Sequence, residues 1–232
     1  MALYPHDPIA FVDDGLFVVE GRWKKSPFER KMTVFRLASG EVAVHGGIAM
    51  DDAGMAELEA VGRPGWILVP NRLHASEAGW YAERYPSAHV LVPAESRKIL
   101  FEKLPRIDGS LDDDWPAALA GELAIVPLRG TRIAEIAVVH AASGTLVLTD
   151  ACFHYRDRDL PPIARLGMRL NGAYGGLRVS RIFKAFVVTD RGALRASIET
   201  LLEHPFHRVI VSHGRTLHEG GREAIREAFD WL

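Results

Sequence analysis

Residues 65–93 read GWILVPNRLHASEAGWYAERYPSAHVLVP. The apolar run WILVP closes at Pro70 and gives way to a polar turn. Helix signals then run from about Ser76 to Arg84, and a second apolar run, AHVLVP, occupies 88–93. Short apolar runs bounded by Pro and rich in branched side chains read as buried strands. The order is therefore strand, helix, strand, and the turn between the first two holds a single histidine, His74.

Upstream, LFVVEG (16–21), MTVFRL (32–37) and EVAVHG (41–46) are β-rich runs separated by turn-forming residues, a meander of antiparallel strands. The period then changes. MDDAGMAELEAVG (50–62) opens on acids, places Met55, Leu58 and Val61 three residues apart and ends on Gly62, as a helix does. Downstream, AESRKILFEKL (94–104) reads as another helix. The polar stretch DGSLDDDW (108–115) reads as a solvated loop where two halves meet, near 108–116.

After it the grammar repeats. ELAIVPL (122–128), IAEIAVVH (133–140) and TLVLTD (145–150) read as strands, and residues 156–176 are less regular and precede RIFKAFVVTD (181–190). Helix 192–204, strand 207–214 and helix 219–232 close the chain. Strands first, then alternating helices and strands, twice over, predict an α/β sandwich of two mixed sheets face to face with helices outside, one unit over 1–232.

Composition narrows the function. A formal charge of −2 gives no reason to expect nucleic acid or an anionic membrane as partner, so a small-molecule ligand or substrate is the expectation. One cysteine, Cys152, excludes an internal disulfide and a cysteine-rich zinc site. The N-terminal residues have no basic stretch leading into an apolar one, and no run of apolar residues is long enough to span a bilayer, which places the protein in the cytoplasm. Oligomeric state is not readable from these features.

Chemistry belongs where strands end, because loops carried on a rigid sheet converge polar side chains. Three strand ends carry ligand-capable residues: VPNRLHASE with Asn71, His74 and Glu77; VLTDACFHYRD with Asp150 and His154; and VIVSHGRTLHEGG with His213 and His218. Imidazole and carboxylate suit a divalent ion such as zinc, manganese or iron. Each residue also has a structural reading. Asp150 would cap the next segment, His213 would bond within a turn before Gly214, His74 would cap or pack beneath Trp80, and His154 would lie on the surface.

With Asp150 in TLVLTD and His213 in VIVSHG, the chain resembles the metallo-β-lactamase fold, an αββα sandwich of two similar halves. More narrowly, MTVFRL through EVAVHGGIAMDDAGMAELEAVG, ILVPNRLHASEAGWYAERYPSAHVLVPAE and VIVSHG resemble an uncharacterised family of domains of unknown function related to that fold, with a degenerate metal-binding motif. Active members follow the strand with His-x-His-x-Asp-His. Those places fall here on Asn71, Leu73, Ala75 and Ser76, and a later histidine falls on Arg129 or Gly130. Asp150 and His213 match the bridging aspartate and the final histidine.

His74 matches none of those ligand positions but lies within one turn of them, and the leading reading is a reduced site in which His74, Asp150 and His213 hold at most one weakly bound ion and Asn71 or His154 orients the substrate. No residue is assigned as catalytic. Two functions follow, a metal-dependent hydrolase of an ester, thioester or phosphoester, or a metal-free, non-catalytic module that binds a small molecule. A redox role through Cys152 lacks a partner cysteine.

Overall fold

The structure, a computed structural model, describes residues 3–22 and 26–232; Met1 and Ala2 of the N-terminal reading lie outside the described residues. Strands β1 (Ala10–Asp13), β2 (Leu16–Arg22), β3 (Glu29–Arg36) and β4 (Glu41–His45) pair antiparallel in sequence order. Then β5 (Arg63–Leu68), β6 (His89–Val92) and β7 (Gly109–Ser110) continue the same sheet in parallel. Parallel neighbours need crossovers, here α1 (Asp52–Val61), α2 (Ala78–Arg84) and a segment that contains α3 (Arg97–Leu100). The first begins where Asp51 accepts the N–H of Gly54 at 2.9 Å and so caps the free helix end.

After the short helix α4 (Ala117–Ala120), β8 (Leu123–Pro127), β9 (Ile136–His140) and β10 (Thr145–Leu148) form an antiparallel second sheet. A two-stranded ribbon, β11 (Phe153–Tyr155) with β12 (Gly176–Arg178), flanks α5 (Pro162–Leu170). Helix α6 (Arg191–Glu203), strand β13 (Arg208–Val211), parallel to β10, and helix α7 (Gly221–Ala228) complete the chain.

Side-chain alternation sorts the strands into four layers. Leu16, Phe35, Ala43, Leu68 and Leu91 of the first sheet meet Ile136, Val138, Val147 and Ile210 of the second in one central core. Their neighbours Val34, Val44, Ile67 and Val90 turn outward under Met55, Leu58 and Tyr81 of α1 and α2. Val139, Leu146, Leu148, Val209 and Val211 turn outward under Leu194, Ile198, Leu201 and Ile225 of α6 and α7. Strands covered on both faces have no polar side, which is why WILVP and VIV read as unbroken apolar runs.

Three readings change. Residues 94–104 do not form one helix: Asp112 takes the Ala94 N–H at 2.8 Å and Ser96 N bonds Pro93, so the segment starts as a tight 3-10 turn and gives only one α-turn. The acidic stretch is not wholly solvated, since Gly109–Ser110 is the edge strand β7 and Leu111 is buried in the central core. The irregular 156–176 contains α5, begun by Pro161 and Pro162. Within it GAYGG (172–176) turns the chain into β12, with Ala173 buried.

Candidate metal centre

Asn71 builds the turn after β5. Its Oδ1 accepts the N–H groups of Leu73 at 2.8 Å and His74 at 3.0 Å, which folds the chain back on itself. Its Nδ2 donates to Thr149 Oγ1 at 2.8 Å and Asp150 Oδ2 at 2.7 Å, so the amide can sit only one way round. Asn71 is fully buried and does not line the cleft beside it, so its side chain braces the turns that carry His74 and Asp150.

The turn after β10 is held from below by Glu135. This fully buried carboxylate accepts the N–H groups of Thr149 at 2.7 Å, Asp150 at 3.0 Å and Ala151 at 2.9 Å. Burial, with the charge of Asp150 beside it, raises its pKa to about 7. Sequence reading passed over it, although an acid within the apolar run IAEIAVVH is a signal, because a buried carboxylate needs donors to face.

His74, Asp150 and His213 then meet from three strand ends, their ligand atoms all within 4.8 Å of one another. His74 Nε2 lies 3.2 Å from Asp150 Oδ2 and His213 Nε2 lies 3.4 Å from Asp150 Oδ1. His213 Nδ1 is 2.7 Å from the Glu29 carbonyl, which only accepts, so Nδ1 carries a proton. With Nδ1 taken up by that carbonyl, Nε2 is the ring nitrogen left to face Asp150. Burial pulls the pKa of His74 below the imidazole range despite Asp150. Burial opposes ionisation of Asp150 too, but the two histidines outweigh it and hold the carboxyl well below its usual range.

These three side chains, with Ser26, Phe28, Arg30, Leu73, Phe153 and Met168, line a cleft of about 390 Å³. Its walls are mainly apolar. Arg30 pairs with Glu77 at 2.8 Å and donates to Gly47 O at 2.6 Å, while its Nε is buried with no hydrogen-bond partner. Glu77, ligand-capable in the sequence, is thereby buried and engaged away from the three ligands.

His154 lies elsewhere. In β11 successive side chains face opposite ways: Phe153 stacks on His213 with ring centroids 5.7 Å apart, whereas His154 lines a separate cleft of about 520 Å³ with Arg156, Arg215 and His218. Its Nδ1 bonds the Arg215 carbonyl at 3.0 Å. Cys152 is fully buried in the outer core of the second sheet, and burial pushes its thiol pKa well up, which suits packing rather than chemistry. Gly130 occupies a left-handed turn where a Cβ would lie 2.2 Å from the Asp190 carbonyl, and Arg129 pairs with Glu95 and Asp112.

No protein-family profile matches the sequence, and no curated protein matches it. Solved structures do. The chain is similar to the DIM-1 metallo-β-lactamase, with a TM-score of 0.65 and 12% identity over 99% of this chain and 98% of that one. It is similar to the FIM-1 metallo-β-lactamase from Pseudomonas aeruginosa in the mono-zinc form, with a TM-score of 0.64 and 12% identity over 99% and 96% of the two chains. A metal-soaked Flv1 flavodiiron core from Synechocystis gives a TM-score of 0.65 and 11% identity over 99% of this chain and 61% of its own. At such identities the likeness carries architecture and not activity: this chain has the metallo-β-lactamase fold.

Proposed function

We propose that His74, Asp150 and His213 hold one divalent ion, zinc, manganese or iron, and that the protein is a hydrolase acting on a small ester or thioester. The observation that carries this is the convergence of two imidazoles and a carboxylate, from three separate strand ends, at the wall of one apolar cleft. Two ligands about 2.1 Å from a tetrahedral ion stand roughly 3.4 Å apart; His74 lies 3.2 Å from one Asp150 oxygen and His213 3.4 Å from the other, and one ligand atom from each of the three residues falls within 4.8 Å of the others. His213 also has the support that ligating histidines use, its other nitrogen donating to a carbonyl.

When bound, such an ion lowers the pKa of a coordinated water toward neutrality. The chain's own residues do the rest. Phe28, Leu73, Phe153 and Met168 take the apolar part of the substrate and exclude bulk water, while Asn71 and Glu135 hold Asp150 in place. With the charge of Arg30 balanced by Glu77, the lining of the cleft carries no unpaired cation to meet a phosphate, which favours a neutral acyl substrate over a phosphoester.

A second reading rests on His74. Its Nδ1 is buried with no hydrogen-bond partner, so the second support of a metal-ligating histidine is missing and affinity should be weak. With Asn71 and His74 already bonded to Asp150, the same cleft would serve a metal-free binding module. Assays on an aryl ester, a thioester and a phosphodiester, with zinc or manganese supplied, separate the two. Ester or thioester hydrolysis that needs the ion and vanishes in Asp150→Ala and His213→Ala supports the hydrolase. Ligand-induced thermal stabilisation that ignores chelator, with no turnover of any substrate, supports the module.

A further inference from the structure

The formal charge of −2 hides a local surplus. From Leu160 to Thr189 the sequence carries Arg165, Arg169, Arg178, Arg181 and Lys184 and not one Asp or Glu. Arg178 is paired with Glu227 at 2.7 Å. Among the described residues, the other four have no carboxylate at ion-pair distance: Arg165 and Arg181 reach only the carbonyls of Asp157 and Leu170, while Arg169 and Lys184 lie over the rings of Tyr174 and Trp231.

The same segment exposes large apolar side chains. On α5, Ile163, Leu166 and Leu170 are 88%, 58% and 67% exposed. At 100° per residue these three positions share an arc of about 60°, with Arg165 and Arg169 along one flank. Asn71 has no part here; instead Asn171, at the end of α5, accepts the N–H of Ile182 at 3.0 Å through its side chain and of Arg181 at 2.7 Å through its carbonyl. That brings exposed Ile182 to the C-terminal end of α5, with exposed Phe186 four residues further along the chain. Helix α5 thus presents an exposed apolar ridge with unpaired cations along it and Arg181 at its end.

We propose that this face docks peripherally on an anionic lipid bilayer, with Ile163, Leu166 and Leu170 entering the interface and the unpaired cations meeting lipid phosphates. Amphipathic helices with basic flanks bind membranes by these two contributions together. No helix among the described residues is long and apolar enough to cross a membrane, so the contact is superficial. A second copy of the chain is the poorer occupant, since a two-fold pairing would set the same arginines against one another. Met168, on the inner side of α5, lines the cleft of His74 and Asp150, so docking would place α5 between that cleft and the lipid.

The test is sedimentation of the full chain with vesicles of phosphatidylcholine alone or mixed equally with phosphatidylglycerol, in low and raised salt, with light scattering of the free protein. Binding to the mixed vesicles, weakened by salt, is expected. The variant Ile163→Ser/Leu166→Ser/Leu170→Ser should lower affinity by about tenfold or more. The charge variant Arg165→Glu/Arg169→Glu should lower it by about fivefold for each cation lost. These sites are exposed, so circular dichroism should show both variants folded. No binding to mixed vesicles, equal binding to both vesicle types, wild-type binding by either variant, or a dimer that the apolar variant dissolves would each overturn the proposal.

Discussion

Asn71 donates its side-chain N–H to Asp150 at 2.7 Å and so ties the turn after β5, in one sheet, to the turn after β10, in the other. The amide is a poor ligand for a borderline cation, yet both Asp150 and His74 are positioned by it. Asn71→Ala should lower zinc affinity by roughly 10–100-fold, as the loss of a supporting hydrogen bond does at other metal sites. It should also cost about 1–3 kcal/mol of stability, because buried N–H groups and Thr149 lose their partner. Zinc titration beside urea denaturation checks both effects; unchanged affinity would remove Asn71 from the site.

Arg30 and Glu77 form an ion pair behind the cleft, with Glu77 also accepting the Tyr4 hydroxyl at 2.8 Å. Both side chains are buried. Arg30→Met would leave the carboxylate without its cation and should destabilise by about 3–5 kcal/mol. The double variant Arg30→Met/Glu77→Leu should recover most of that loss. Urea denaturation of the three proteins decides it, and a double variant as unstable as Arg30→Met would show that the pair is not the source of the cost.

His45, at the end of β4, is buried beside Phe35, with ring centroids 6.4 Å apart, and its Nε2 has no hydrogen-bond partner. Burial lowers its pKa to about 3. The folded protein therefore refuses a proton that the unfolded chain takes up below about pH 6.5, so stability should fall as pH drops from there toward about 3. His74 shifts in the same direction and adds to the fall. Denaturation at a series of pH values should show His45→Leu with a slope flatter by about one proton above the carboxylate range. An identical slope in the variant would contradict a neutral buried His45.

Much of this molecule is legible from sequence because its strands are covered on both faces. WILVP, AHVLVP and VIV have no polar alternation to blur them, and the order of strands and helices carries the sandwich. Helix α5 escaped because its apolar residues face outward and its start is masked by two prolines. The convergence of His74, Asp150 and His213 follows from strand ends, whereas the placing of His154 needed the alternation within β11, which a gap of four residues from Asp150 does not reveal. Asn71 and Glu135 are recognisable as supports only in three dimensions, where the groups that they bond become visible.

Element-resolved metal analysis of untagged protein after exposure to zinc bears most directly on the proposed centre. With one carboxylate and two imidazoles, about one ion per chain is expected, held weakly enough for chelator to remove it. Asp150→Ala and His213→Ala should each abolish uptake while remaining folded. Two tightly held ions per chain, an ion retained by both variants, or no uptake by the parent protein would contradict the assignment of a single centre on His74, Asp150 and His213.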